Sequence, residues 1–533
     1  MRMIRSRTAA VNLAGGSTKN TSVAAGRPPS GDGTGSVVSA WARWPVLAIA
    51  ATAAGILGVV SGRSGYFGDE LYFLAAGRHL DWSFADQPPL VPLLARVMDT
   101  LFPDSVTALR LPATLATALS IVVASLIARE LGGGRRAQIL AAASYAVSWG
   151  VLVTANTLNT AVIDSFIWTL LTWLLVRWVR TRQDRLLLVA GLFTAVSVQV
   201  KDLVAVFWIV LIGAVLAVGP REMLRRPVLW VSGAVTVVTS LPNLWWQVDH
   251  GSPQLIMSQI VSAEQDVTGG RLTFLPFELL FAGLPIGIVL LVYGTVRLLR
   301  SAELAPYRFL GWTFVGVSVV FWVSNGRWSY ILGLFGLVLS AAVVELERQP
   351  TTRWWRALRS WPCYALAALI PVLIMQPFGS RDTPWTRGWL GITSAVAQAY
   401  QTLPATQRRN AVIVSDTYTQ ASALDQFGPA YGLPKAHSPN RGYWYFGPPP
   451  DNAGPTVFIG LNSTTISRYF GNVRKVGAVD MPGGMRGINL GVSIWICTDQ
   501  KVPWSAIWPT VRDFNIADRT LPFPSYRPVS EPR

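Results

Sequence analysis

Eleven apolar runs of roughly 16 to 22 residues punctuate this chain, near 45–61, 107–128, 137–155, 160–178, 185–200, 203–219, 228–244, 275–296, 308–325, 329–346 and 361–377. Each is about as long as a helix must be to cross the hydrocarbon core of a bilayer. Lipid offers the backbone no hydrogen-bond partners, so a spanning run must satisfy its own N–H and C=O groups, which a helix does. The sequence therefore predicts a polytopic α-helical membrane protein. Composition agrees: 51% of the residues are hydrophobic, 14% are charged and 23 are Trp, a surface that a water-soluble chain of this length would not tolerate. No repeat of fixed period recurs, which argues against a transporter built from symmetric halves.

The formal net charge of +17 raises nucleic acid as a partner, and the placement of the cations rejects it. Arg residues cluster in short loops between apolar runs: Arg129/Arg135/Arg136, Arg177/Arg180/Arg182/Arg185, Arg221/Arg225/Arg226, Arg297/Arg300/Arg308 and Arg348/Arg353/Arg356/Arg359. That is the positive-inside pattern of cytoplasmic loops. With Arg5, Arg7, Lys19, Arg27 and Arg43 before the first span, it puts the N-terminus in the cytoplasm. Residues 1–44, rich in Gly, Ser and Thr, read as a disordered cytoplasmic tail, and the first apolar run stands too far from Met1 for a cleaved signal. Residues 45–378 are expected to form the transmembrane domain, with an outer loop at 62–106, and to hold any catalytic site. Eleven spans leave residues 379–533 outside. Short strands near 411–415, 456–460, 473–477 and 492–497, with helical stretches near 418–427 and 464–470, predict a small extracytoplasmic α/β domain there. Cys363 and Cys497 show neither metal spacing nor a disulfide framework.

Ionisable residues at the predicted outer face run against this charge pattern. Asp69 and Glu70 follow the first span, where a carboxylate can accept a proton from an attacking hydroxyl; the pair also fits a solvated loop acid. Asp86-Gln87-Pro88-Pro89-Leu90 leads into an amphipathic stretch, Leu90, Leu93, Leu94, Val97, Met98 and Leu101, suited to the outer leaflet or to packing on the protein itself. Asp164 lies near the outer end of the fourth span, costly in lipid unless it faces an interior or a cation. Lys201 sits in a very short turn and can hold a phosphate, or pair with Asp164 or Asp202. Arg327, with Tyr330 nearby, can grip a phosphate or anchor at the interface beside Trp328. The segment 245–274, with Trp245, Trp246, His250, Glu264, Asp266 and Gly269-Gly270, is an exposed loop or a mobile cover.

Together, Gly68-Asp69-Glu70-Leu71-Tyr72, Asp86 to Leu90, Thr160 to Asp164, Gln199-Val200-Lys201-Asp202 and Gly326 to Tyr330 resemble the C-type membrane glycosyltransferases that include protein O-mannosyltransferases and lipid A aminoarabinose transferases. The resemblance covers roughly residues 45–346 and, more loosely, the outer domain, where 421–424, 431–434 and Tyr443 to Gly447 look like the bacterial members. It implies an inverting transferase that moves a hexose or pentose from a polyprenyl-phosphate carrier to a protein, lipid or glycan hydroxyl. It makes Asp69 the general base, places Glu70 and Asp164 in the same acidic site, and gives the donor phosphate to Lys201 and Arg327, with Tyr330 beside them. Asp202 departs from the aromatic residue that follows this lysine in many relatives. The carboxylates leave open a divalent cation between Asp69 and Asp164, since no His stands near to decide it. A lipid or solute transporter or flippase is the alternative from another class, and a scaffold without activity a second.

Overall fold

The structure, a computed structural model, describes residues 39–348, 356–357, 360–375, 384–460, 463–464, 466–479 and 491–514. The tail at 1–38 and the predicted domain boundary at 378 lie outside these residues.

Helices follow the apolar runs. Among the described residues six are long and apolar enough to cross a membrane: Arg43–Ser61, Leu111–Glu130, Thr160–Thr181, Pro227–Asp249, Ala305–Val323 and Trp328–Arg348. Arg185–Val198, Val204–Val218 and Trp361–Ile370 are shorter apolar helices. The two remaining runs are bent. Arg135–Ala146 and Trp149–Ala155 meet at 56°, and Arg271–Ala282 and Ile286–Arg300 at 108°, so 275–296 is no straight span. The second bend has a local cause. Gly283 takes φ 113, a conformation only glycine adopts readily, and Pro285 has no N–H with which to continue the first helix.

Trp328–Arg348 is the central strut, with 89% of its apolar window buried against Leu111–Glu130, Arg135–Ala146, Thr160–Thr181 and Ile286–Arg300. Pro227–Asp249, at 22%, shows Trp230, Val231, Val237, Val238, Leu241, Leu244, Trp245 and Val248 on its outer surface. Such a continuous apolar band is costly in water and suits lipid.

The two ends of the bundle differ in charge chemistry. At one end Glu130 accepts from Arg177 and Arg180, and Glu345 from Arg297, Arg348 and Ser301, so the predicted cytoplasmic arginines share one end. The candidate residues gather at the other.

A five-stranded sheet of order β2-β1-β3-β5-β4 lies in the C-terminal part. Its strands are β1 (Val412–Ser415), β2 (Ala436–His437), β3 (Thr456–Gly460), β4 (Phe470–Ala478) and β5 (Ser493–Gln500). β1 is parallel to β2 and β3, while β5 runs antiparallel to β3 and β4. Helix Pro384–Gln401 packs on β3, β4 and β5. Helix Tyr418–Phe427 starts at Thr417, whose hydroxyl accepts from the Gln420 amide, and packs on Gly68–Arg78. The helix expected near 464–470 is only a 3₁₀ turn, Ile466–Arg468, before β4 begins. Segment 245–274 is no loop: Pro227–Asp249 runs into it and Pro253–Val267 forms a further helix.

Candidate active site

Helix Gly68–Arg78 places both carboxylates of its first turn. The Phe67 amide donates to Glu70 Oε2 at 2.8 Å, closing the turn. Arg110 Nε and Nη2 then donate to Glu70 Oε1 and Oε2, each at 2.7 Å, and the Leu158 amide to Oε1 at 2.9 Å. Arg110 also donates to the Ser61 carbonyl, Ser64 Oγ and the Gly65 carbonyl. The pair is 0% and 1% exposed. Five guanidinium donors and four carboxylate lone-pair positions are all engaged, the condition under which a buried ion pair is tolerated. Glu70 therefore ties the helix to the Ser61–Gly65 turn, to Arg110 and to Leu158, which is a holding part and not that of a carboxylate waiting for a proton.

Asp69, one residue earlier, is half-buried at the helix N-terminus, where the macrodipole favours negative charge. The Tyr418 hydroxyl donates to its Oδ1 at 2.7 Å. Burial first, and the Asp69 charge second, push the Tyr418 phenol well above its usual range, so it stays a neutral donor. Tyr418 is edge-on to Tyr72, with ring centroids 5.0 Å apart, and the Tyr72 hydroxyl donates to Asp86 Oδ1 at 2.9 Å. Burial pushes the Asp86 carboxyl up to about 6, against the pull of Arg441 and of the Tyr72 hydroxyl. Gly68 eases this approach: a Cβ there would lie 3.0 Å from Thr419 and 3.2 Å from Trp389, so those side chains would have to shift by a few tenths of an ångström.

A second group surrounds Asp164. Asn159 caps helix Thr160–Thr181 through the Val162 amide at 3.0 Å, and Ser197 Oγ donates to Asp164 Oδ1 at 2.9 Å. Lys201, the strongest charge acting on Asp164, has its ammonium 4.1 Å from the Tyr330 ring centroid. This is a cation–π contact that leaves its N–H donors available. The Leu90 amide donates to the Gln199 carbonyl at 2.9 Å, joining the Asp86–Leu90 segment to the lysine turn.

Glu264 links the groups. Arg327 Nη2 lies 3.2 Å from Glu264 Oε2, and Arg441 Nη2 pairs with Glu264 Oε1. The Arg441 guanidinium sits over the Tyr418 ring, 5.3 Å from its centroid, and feels the charges of Asp86 and Asp69. Asp164, Lys201, Tyr330, Arg327, Glu264, Arg441, Tyr418 and Asp69 thus form a continuous string at one end of the bundle. Three cations, Lys201, Arg327 and Arg441, and three carboxylates, Asp164, Glu264 and Asp69, lie within it. The side chain of Arg327 is 43% exposed. Among the described residues no three His, Cys, Asp or Glu side chains gather as a metal set.

All six residues singled out in the sequence lie in this region, Glu70 in the role described above. Sequence reasoning passed over Arg110, Tyr418 and Arg441, and left Glu264 in a loop. Arg110 carried a signal, a cation at the outer end of a span against the positive-inside bias. Tyr418 and Arg441 carried none, because only the tertiary fold brings residues 349 positions apart together. The aromatic run 443–446 packs as core: Tyr443 is buried with its hydroxyl on Asp425 at 2.5 Å, and Phe446 stacks on His79.

Residues 86–246 match the family described as dolichyl-phosphate-mannose-protein mannosyltransferase. The structure of ArnT from Cupriavidus metallidurans bound to undecaprenyl phosphate superposes with a TM-score of 0.56 at 13% identity, over 85% of this chain and 97% of that one. Its apo state gives 0.56 at 14% identity with the same coverage. No curated protein matches in sequence. The chain has the fold of the C-type membrane glycosyltransferases, and in the 86–246 segment it also matches the protein mannosyltransferases in sequence.

Proposed function

From this kinship we propose that the chain is an inverting glycosyltransferase that moves a sugar from a polyprenyl-phosphate carrier to a hydroxyl acceptor on the extracytoplasmic face. The carrying observation is Asp69, held by the Tyr418 hydroxyl in a string that also presents Lys201, Arg327 and Arg441. The positive-inside bias and the gathering of the arginine-bound Glu130 and Glu345 at the opposite end support this orientation.

In the reaction so read, Asp69 takes the proton of the acceptor hydroxyl as its oxygen attacks the anomeric carbon. The new glycosidic bond forms as the bond from that carbon to the phosphate oxygen breaks, and the phosphate leaves with the electron pair. Attack opposite the leaving group inverts the carbon. Lys201 and Arg327 meet the charge that grows on the phosphate, the electrostatic help that matters most where water is excluded. Tyr330 seats Lys201 from below. Glu264 fixes Arg327 and Arg441, Glu70 holds the helix that carries Asp69, and Asp164 orients the lysine turn through Ser197. In this reading the described residues from 384 onward belong to the outer domain, whose Tyr418 and Arg441 complete the site.

Purified protein should transfer sugar from a labelled polyprenyl-phosphate donor. Lys201→Gln and Arg327→Gln should each lower turnover about 10²- to 10³-fold, as loss of one charge-stabilising donor does. The alternative, a lipid or solute transporter, predicts instead passage of the lipid across sealed vesicles with no new glycosidic bond.

A further inference from the structure

Away from this site the C-terminal sheet holds a cavity of about 240 Å³, lined in part by Asp416, Phe458, Tyr469, Trp504, Trp508 and Thr510. We propose that it is a saccharide-binding subsite that seats one or two sugar rings of a glycan acceptor, an assignment that rests on the transferase reading above.

Topology is the first argument. From β1 the chain passes through helix Tyr418–Phe427 to β2 on one side, and then returns to β3 on the other, all three strands parallel. The gap at the carboxyl ends of β1 and β3 is therefore a switch point, where open α/β sheets bind ligands. Asp416 directly follows β1, and Val414 and Phe458 are paired across β1 and β3 on the same wall.

Chemistry is the second argument. Trp504 is 2% exposed, lines the cavity, and its indole N–H has no hydrogen-bond partner among the described residues. A buried donor without an acceptor is costly, and a ligand hydroxyl would accept from it. Indole and phenol faces fit the C–H faces of a sugar ring, while carboxylates and the Thr510 hydroxyl suit its hydroxyls. Asp416 and Asp513 against the single Arg512 disfavour an anion. The cavity is also smaller than the roughly 300–1,000 Å³ typical of sites for drug-sized ligands, a scale that fits a short saccharide.

Connection to the site is the third. Arg512 and Asp513 belong to the cavity wall, and the carbonyls of Asp513 and Phe514 bind Arg441 of the candidate active site. The Arg441 amide donates to the Asp513 carbonyl at 2.7 Å, and Arg441 Nε to the Phe514 carbonyl at 3.1 Å. A glycan seated in the cavity would lie directly behind Arg441, within the reach of a chain whose terminal hydroxyl enters at Asp69.

The test uses the full-length protein in detergent, without any donor. Saturation-transfer NMR and tryptophan fluorescence would follow titration with methyl glucoside, methyl mannoside, methyl arabinoside and a short oligosaccharide, with inorganic phosphate as the anionic probe. Saturable sugar binding is expected, weakened tenfold or more in Trp504→Phe, which keeps a ring but removes the N–H. Thr510→Trp, which fills the cavity mouth from an exposed position, should abolish it. No saturable sugar binding, equal binding by wild type and both cavity variants, or binding of phosphate alone overturns the subsite. Because no donor is present, such a failure is distinct from failure of sugar transfer, which is assayed separately.

Discussion

Asp86 and Asp69 sit in one string of contacts yet differ in what holds them. Asp86 receives the Tyr72 hydroxyl, and burial pushes its carboxyl up to about 6 from the 3.8 of an exposed aspartate. The folded state therefore binds this proton more tightly than the unfolded chain does. Its stabilising contribution is full below about pH 4 and is lost as pH rises through 6. In Asp86→Asn the amide still accepts from Tyr72 but never charges. The variant should match the wild type near pH 4 and exceed it at pH 7 to 8 by about 1–3 kcal/mol, read as a higher melting temperature in detergent across a pH series. A pH-independent difference would count against the raised Asp86 carboxyl described here.

At the scale of elements, helix Gly68–Arg78 is the part on which the site depends, and the buried Glu70–Arg110 pair fastens it. Removing one partner leaves an uncompensated buried charge, which costs about 3–5 kcal/mol. Glu70→Ala should therefore lower the melting temperature sharply and lose transfer with it. The double variant Glu70→Leu with Arg110→Met, which leaves no orphan charge, should recover much of the stability. A Glu70→Ala protein as stable as the wild type, but inactive, would instead favour a direct chemical part for Glu70.

Elements differed in how readable they were. Apolar period and length were enough for the membrane helices, and β-branched runs were enough for β1, β3, β4 and β5, because both signals are local. β2, two residues long, leaves no period to read. The 108° bend between Arg271–Ala282 and Ile286–Arg300 hid inside one apolar run, although Gly283 and Pro285 mark it in retrospect. Apolar and polar faces alternate on Pro253–Val267, but its Trp- and Gly-flanked surroundings read as a loop.

For the whole molecule, the charge pattern decides which residues meet. The arginine loops gather at one end around Glu130 and Glu345. Cations that escape this pattern, Arg110, Lys201 and Arg327, meet carboxylates and aromatic rings at the other. Lys201 and Arg327 were legible because they broke the positive-inside rule. Tyr418 and Arg441 were not, since they come from a separate layer whose docking onto Gly68–Arg78 depends on surface fit that no local pattern encodes. Glu70 was legible as a charge but not as a buried one, because its partner Arg110 lies 40 residues away.

The most direct measurement compares wild type with Asp69→Asn, in vesicles that expose the face bearing Asp69, supplied with radiolabelled polyprenyl-phosphate sugars and a membrane extract as acceptor. The amide keeps the size and the hydrogen bond from Tyr418 but cannot take a proton. Transfer by the wild type, and a loss of about 10²- to 10⁴-fold in a variant with unchanged melting temperature, is the expected result. Equal transfer by both proteins, or none by the wild type with any donor, would contradict the assignment of Asp69 as the base of a glycosyltransferase.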